Sequence, residues 1–296
     1  MPNSAGDQRP ETAGLLLLLL AVAGWGSNWP PMKLLVQELP VLTARAWPGL
    51  TGALVLAATV RAAGVPLGVP RGLWPRLWLA SLLNVSAWMG LASFSLLWLD
   101  AGEACVVCYT MPVWAALLAW PVLGERPTPR RILALACGLA GVFVIVAGRG
   151  VDIGLAKLPG VGFALASAVL FALGTVLTKR RPLAMPPAAG VAWQMLLGML
   201  PLVVATLVFD RPELGALSLQ GWGFMAYQAL VPFCLCYLAW FAALRHLPAS
   251  VATTGTLIAP LVGVLGSSLL LGEPFEGREM TALALTLAAV VLVVRS

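Results

Sequence analysis

Charge is what this chain has least of. Asp, Glu, Lys and Arg make up 10% of its 296 residues, where a soluble domain carries roughly a quarter. So few ionic groups cannot clothe a water-facing surface, which excludes a soluble globular protein. Histidine occurs once and tyrosine three times. No Cys/His spacing of the zinc type, no Ser/His/Asp set and no Gly-x-x-x-x-Gly-Lys phosphate loop is present. The chain therefore calls for no metal, no cofactor and no ATP-driven step of its own. The five cysteines (Cys105, Cys108, Cys137, Cys234 and Cys236) lie in apolar runs, and an odd, scattered set is no disulfide framework. Cys105-x-x-Cys108 falls inside a predicted helix and reads as small apolar packing. The formal net charge of +6 arises from few groups spread over many residues. No basic–aromatic surface for nucleic acid accompanies it.

What the chain has is apolar surface. Hydrophobic residues make up 60% and the mean hydropathy is +0.93, the composition of an integral membrane protein. A spanning helix needs about 20 mostly apolar residues. Ten segments qualify, at roughly 13–35, 41–60, 73–98, 102–123, 130–148, 158–179, 187–208, 220–244, 249–271 and 277–294. The polar start MPNSAGDQRPE leads into Leu15–Leu20, and the apolar run continues to Leu35, so it is expected to be an uncleaved first span. Alternate sides of the predicted bundle carry 12 and 5 Lys/Arg, leaving out Arg45 near the start of span two. The richer side holds Arg61, Arg71, Arg76, Lys179, Arg180 and Arg181 among others. Positive loops stay inside, so both termini are expected in the cytoplasm of a bacterial-type inner membrane.

One design occurs twice. Glu103–Glu125 reads EACVVCYTMPVWAALLAWPVLGE, and Val251–Glu273 reads VATTGTLIAPLVGVLGSSLLLGE. Pro112, Gly124 and Glu125 fall on Pro260, Gly272 and Glu273 at a shift of 148, half the chain. Across residues 99–146 and 247–294, 16 of 48 positions are identical, and ten of these are Ala or Leu. Five spans per unit is an odd number, so the second unit enters the membrane upside down. The expected fold is an all-α polytopic membrane protein with ten transmembrane helices as two inverted five-helix repeats, residues 1–148 and 149–296. Such repeats hold cargo near the midplane between the halves.

Ten spans, a five-plus-five duplication and a Pro-centred span ending in Gly-Glu resemble the drug/metabolite transporter superfamily, in its EamA-like ten-helix branch. Within it, Tyr109-Thr110-Met111-Pro112 and the aromatic-rich spans one, three and four are similar to the YddG-type amino-acid exporters. The resemblance covers the whole chain. It implies an exporter or carrier of small metabolites, and it makes Tyr109 and Trp88 the leading substrate contacts.

Each motif has a plain structural reading beside the functional one. Pro112 and Pro260 each remove one backbone bond in mid-span, which predicts a bend that serves as hinge or cavity wall, or only as packing. Gly124 and Gly272 suit the left-handed residue that ends a helix. Glu125 and Glu273 suit the positive start of the helix that follows them, a structural role. In Trp25-Gly-Ser-Asn28-Trp29-Pro-Pro, Trp25 and Asn28 are the deep members expected on the cavity. Asn84 and Trp88 in span three are four apart and share a face, as do Tyr237 and Trp240 in span eight. They face either the cargo or only each other. Opposite Tyr109, span nine offers Thr253, Thr254 and Thr256. Asp100 and Glu103 are expected at the outer boundary, attracting cations at the mouth or simply solvated. His246 is expected in an exposed inner loop.

No Asp or Glu lies deep in any predicted span. A carrier of cationic drugs would need one to trade protons against cargo charge. The expectation is therefore a secondary transporter that exports neutral or zwitterionic cargo by alternating access. That cargo would be aromatic or large neutral amino acids and related metabolites. Its partners are this cargo and membrane lipid, with no nucleic acid and no obligate protein partner evident. The rivals are a multidrug carrier, a nucleotide-sugar carrier, a membrane enzyme, and a receptor or scaffold. A nucleotide-sugar carrier would prefer paired cavity cations, for which only Arg45 is a candidate.

Overall fold

The structure is a computed structural model that describes residues 8–125, 128–146, 155–210, 215, 217–247, 251, 255, 256 and 258–294. No strand occurs among the described residues. The helices are α1 (Gln8–Gly26), α2 (Trp29–Glu38), α3 (Val41–Ala62), α4 (Trp74–Ser81), α5 (Trp88–Ser95), α6 (Ala101–Cys108) and α7 (Met111–Leu123). They continue with α8 (Pro129–Val146), α9 (Leu158–Arg180), α10 (Pro187–Phe209), α11 (Leu219–Leu230), α12 (Cys236–Ala243), α13 (Ile258–Leu271) and α14 (Gly277–Val294).

Among the described residues, seven helical stretches are long and apolar enough to cross a membrane. They are Thr12–Glu38, Val41–Ala62, Arg71–Ser95, Ala101–Leu123, Leu155–Arg180, Pro187–Phe209 and Leu219–Ala243. Ile132–Ile145 and Ile258–Leu271 are shorter apolar helices. The ten expected segments thus become seven plus shorter ones. The missing length falls on α8, α13 and α14, and part of the ninth predicted segment, including Thr253 and Thr254, lies outside the described residues, as do the loops with Arg126, Arg149 and Arg211. Large apolar side chains point outward around the bundle, Phe209 at 77% exposure and Leu269 at 84% among them. Lipid is the solvent that suits such a surface.

Packing pairs recur at the shift seen in the sequence. Helix α1 packs on α12 and α13, and α9, 148 residues after α1, packs on α5 and α7. Helix α3 packs on α11, and α10 packs on α4. The pairs α3–α10 and α8–α14 each return onto themselves. Two six- and five-residue π-helical turns, Leu82–Ala87 and Val231–Leu235, interrupt the third and eighth predicted spans at equivalent places. Such turns free backbone groups and often occur at functional sites.

The predicted bends are breaks. Helix α6 stops at Cys108, Tyr109 and Thr110 form a turn, and α7 starts anew with Pro112 in its first turn. Pro260 is likewise at the start of α13. A proline there costs no intrahelical bond, because the first N–H groups of a helix have no partner. Pro30 and Pro31 start α2 in the same way after the Ser27–Asn28 break. Gly124 and Gly272 take positive φ, 77° and 66°. At Gly26 the reason for glycine is space, since a Cβ would stand 2.5 Å from the Ala259 carbonyl oxygen of α13.

Candidate transport path

One end of the bundle is bound together by charged groups. The turn from Leu96 to Leu99 joins α5 to α6, and Lys33 Nζ of α2 donates to the Leu96 and Leu99 carbonyls at 2.6 and 2.7 Å. Carbonyls at a helix C-terminus have no partner within the helix, and a cation suits them twice, as donor and as charge. Just beyond the turn, Glu273 accepts from the backbone N–H groups of Ala101 (2.7 Å) and Gly102 (2.9 Å). The expectation was that Glu273 serves the helix that follows it. It serves the N-terminus of α6, on the other half of the chain. Burial holds the Glu273 carboxyl above its ordinary value, against the pull of the two backbone donors.

Glu103 also departs from expectation. It is 3% exposed and is neither solvated nor open at a mouth. Lys157 donates to both its oxygens, at 2.8 and 2.6 Å, and Arg278 Nη2 donates at 2.7 Å. Asp100 stays at the rim, 3.8 Å from Lys157. Two cations from distant chain positions meet one carboxylate, a convergence that spacing alone does not reveal.

The opposite end is marked by Arg76. Arg76 donates to the carbonyls of Arg181 and of Pro182, the latter at 2.9 Å. Lys179 pairs with Glu125 at 2.8 Å on the surface. A cavity of about 320 Å³ opens here, lined by Arg76, Ala80, Leu83, Gly174, Thr178 and Arg181. His246 is exposed.

Between the ends, the predicted residues fall into groups. Trp25 meets Tyr237 and Trp240, with ring centroids 5.3 and 5.6 Å apart. Its indole N–H donates to the Pro232 carbonyl inside the second π-turn at 3.1 Å. Tyr109 and Trp240 both pack on the buried cluster of Leu18, Val22, Ala243, Leu247 and Ala259. Trp25, Tyr109, Tyr237 and Trp240 therefore line one aromatic region where α1, α12 and the α6–α7 break meet. Trp88 adjoins it, packing on one buried cluster with Tyr109 and on another with Tyr237, and Asn84 makes its contact elsewhere. Asn84 Nδ2 donates to Gln194 Oε1 of α10 at 3.0 Å, and Trp88 lies against Phe171 of α9 at 5.1 Å. Asn28 sits in the α1–α2 break. The side-chain oxygens of Asn28 and Asn84 are buried without a hydrogen-bond partner. Beside Asn28, Ser27 Oγ and the Tyr227 hydroxyl are hydrogen-bonded at 2.7 Å.

Arg45, the one candidate cavity cation in the sequence, is 6% exposed, in the second turn of α3. Its Nε donates to Ser93 Oγ at 2.7 Å and its Nη1 to Gln228 Oε1 at 3.2 Å. Its charge lies 5.6 Å from the centre of the Phe233 ring. The signal was an arginine inside the apolar run LTARAWPGL, since ionisable groups within spans usually face the bundle interior. The cysteines are free, Cys105 and Cys108 fully buried, and among the described residues no group of His, Cys, Asp and Glu is arranged to hold a metal ion.

Apolar helices exposing hydrocarbon to their surroundings, with breaks and polar side chains turned to the interior, define a polytopic membrane protein of the carrier type. The chain belongs to the EamA-like transporter family of the drug/metabolite transporter superfamily, which matches residues 12–147 and again residues 158–295. It is 30% identical to the uncharacterized transporter YvbV of Bacillus subtilis, over 97% of this chain and 93% of that one. It is 27% identical to the protein PecM of Dickeya dadantii, over 81% and 82%. It is 25% identical to a probable amino-acid metabolite efflux pump of Salmonella typhimurium, over 92% and 91%. A solved crystal structure shares the fold with a TM-score of 0.68 at 22% identity, covering 95% of each chain. The chain is thus an integral membrane transporter and not an enzyme.

Proposed function

We propose that the chain is a secondary transporter that exports amino acids, aromatic and large neutral ones first, with related small metabolites. It has ten spans in two inverted repeats, residues 1–148 and 149–296, and both termini in the cytoplasm. It works by alternating access, with the breaks at Pro112 and Pro260 as hinges. The aromatic region of Trp25, Tyr109, Tyr237 and Trp240 supports an aromatic or large apolar cargo side chain. Asn28, Asn84 and Trp88 supply further contacts. The similarity to the probable amino-acid metabolite efflux pump of Salmonella typhimurium supports amino-acid metabolites as the cargo class. Gly124, Glu125, Gly272 and Glu273 are structural, ending helices and tying them together.

The observation that supports alternating access is a turn that occurs twice and that, among the described residues, is held by a side-chain cation at its first copy. Backbone bonds run from Leu97 to Phe94, Trp98 to Ser95 and Leu99 to Ser95. They recur, 148 residues on, from Arg245 to Ala242, His246 to Ala243 and Leu247 to Ala243. Lys33 holds the first turn. Its counterpart at the same shift is Arg181, whose side chain is exposed. In the opposite state Arg181 takes the Leu244 and Leu247 carbonyls at the Arg76 end, and Lys33 lets go. One half then performs on its side of the membrane what the other performs here.

Uptake into proteoliposomes tests the reading. The expected result is flux of neutral amino acids. No flux of any neutral amino acid, together with flux of organic cations, would end it.

A further inference from the structure

We propose that Arg45 is the anchor for a carboxylate on the cargo, so that the transported class is molecules with a free carboxylate, amino acids foremost. The inference rests on the transport reading above and adds the recognition chemistry.

Arg45 is a buried cation without an anion. Among the described residues, no carboxylate pairs with it. Its two bonded partners, Ser93 and Gln228, are neutral. Neutral acceptors satisfy N–H groups and leave the charge uncancelled, and a buried charge is stable only when paired.

The partners are themselves fixed as acceptors. Ser93 Oγ spends its proton on the Met89 carbonyl at 2.7 Å, so it turns a lone pair to Arg45 Nε. Gln228, fully buried, places its Nε2 on Met32 Sδ at 3.1 Å, so its oxygen faces Arg45 Nη1. Three helices thus orient the guanidinium by Nε and one side of Nη1. Nη2 and one proton of Nη1 make no hydrogen bond among the described residues. Guanidinium protons left free in this way bind a carboxylate through charge-assisted bonds.

The neighbourhood suits the other half of an amino-acid head group. Tyr227 precedes Gln228 and is bonded to Ser27 at the α1–α2 break. The next residue in that break is Asn28, whose side-chain oxygen is a buried acceptor with no donor. A cargo ammonium is a donor without an acceptor. Arg45 on α3 of the first half is bonded to Gln228 on α11 of the second, so the charge lies between the halves, where an inverted-repeat carrier holds its cargo.

The test uses full-length protein in proteoliposomes and three probes: phenylalanine, phenylalanine methyl ester and phenethylamine. The wild type is expected to transport the acid and to discriminate against both analogues. Arg45→Gln is expected to raise KM for phenylalanine about 100-fold, the usual scale for unpairing a buried charge, with no matching loss for the ester, which has no carboxylate to anchor. Ser93→Ala, which keeps the charge but frees its orientation, is expected to raise KM for the acid alone, with kcat retained. A bracing role for Arg45 predicts instead equal losses for acid and ester. That result, a wild type indifferent to the carboxylate, or an unchanged KM in Arg45→Gln overturns the assignment and leaves the transporter standing. A wild type that moves no amino acid at all overturns the transport reading and the anchor with it.

Discussion

Removing the ammonium of Lys33 is expected to open the Glu103 end. Lys33→Met keeps the length and apolar stem of the side chain and deletes the group that holds the Leu96 and Leu99 carbonyls at 2.6 and 2.7 Å. A hydrogen bond involving a charged group contributes about 1.5–3 kcal/mol net. Lys33 is half-buried, so solvent screens part of this and the low end applies to each bond. The two together then favour the closed end by about 3 kcal/mol, which is about 100-fold in the ratio of the two states. The native Cys105 reports the change. It is fully buried in α6, beneath the turn and in contact with the Pro260 carbonyl at 3.9 Å, so a membrane-impermeant thiol reagent reaches it only when that end parts. Labelling added from the Glu103 side, followed by mass spectrometry, should be about 100-fold faster in Lys33→Met. Arg181→Ala should slow it, because that change disfavours the opposite state. The same Cys105 labelling rate in Lys33→Met and wild type, with both proteins folded, refutes the reasoning.

Glu103→Ala leaves Lys157 and Arg278 facing each other without their shared carboxylate. Because Glu103 is buried, the loss should be about 3 kcal/mol, seen as a lower Tm in detergent by a tryptophan-fluorescence melt; an unchanged Tm means that the pairs contribute nothing net. Trp88→Ala and Tyr109→Phe should each reduce amino-acid flux with normal membrane expression, and wild-type flux in both variants removes them from the site. Glu273 supplies a pH dependence. Its pKa is raised by burial, so the folded state holds the proton where the unfolded state has lost it. The Glu273 contribution is therefore present below the ordinary carboxylate value of 4.5 and is lost as pH rises through the window above it. The Tm of the wild type should fall relative to that of Glu273→Gln across that window, and parallel Tm curves rule the shift out.

Much of this protein was legible in one dimension. Apolar composition with scarce charge dictates a membrane bundle, because a water-facing surface has no other way to be made soluble. Glycine after an apolar run marks where a helix must turn left-handed, as at Gly124 and Gly272. The 148-residue shift marks the repeat, and the packing pairs recur at that shift because repeated sequences bury the same faces. Tertiary structure decided the rest. Pro112 starts a helix instead of bending one, after a turn at Tyr109 and Thr110. Glu273 caps α6, and Glu103 gathers Lys157 and Arg278, although each pairing joins residues far apart in the chain. Arg45 shows the limit most clearly. Its residue type is written in the sequence, but the missing counter-charge is a property of the space around it, and electrostatics acts through distance in space, to which order along the chain is blind.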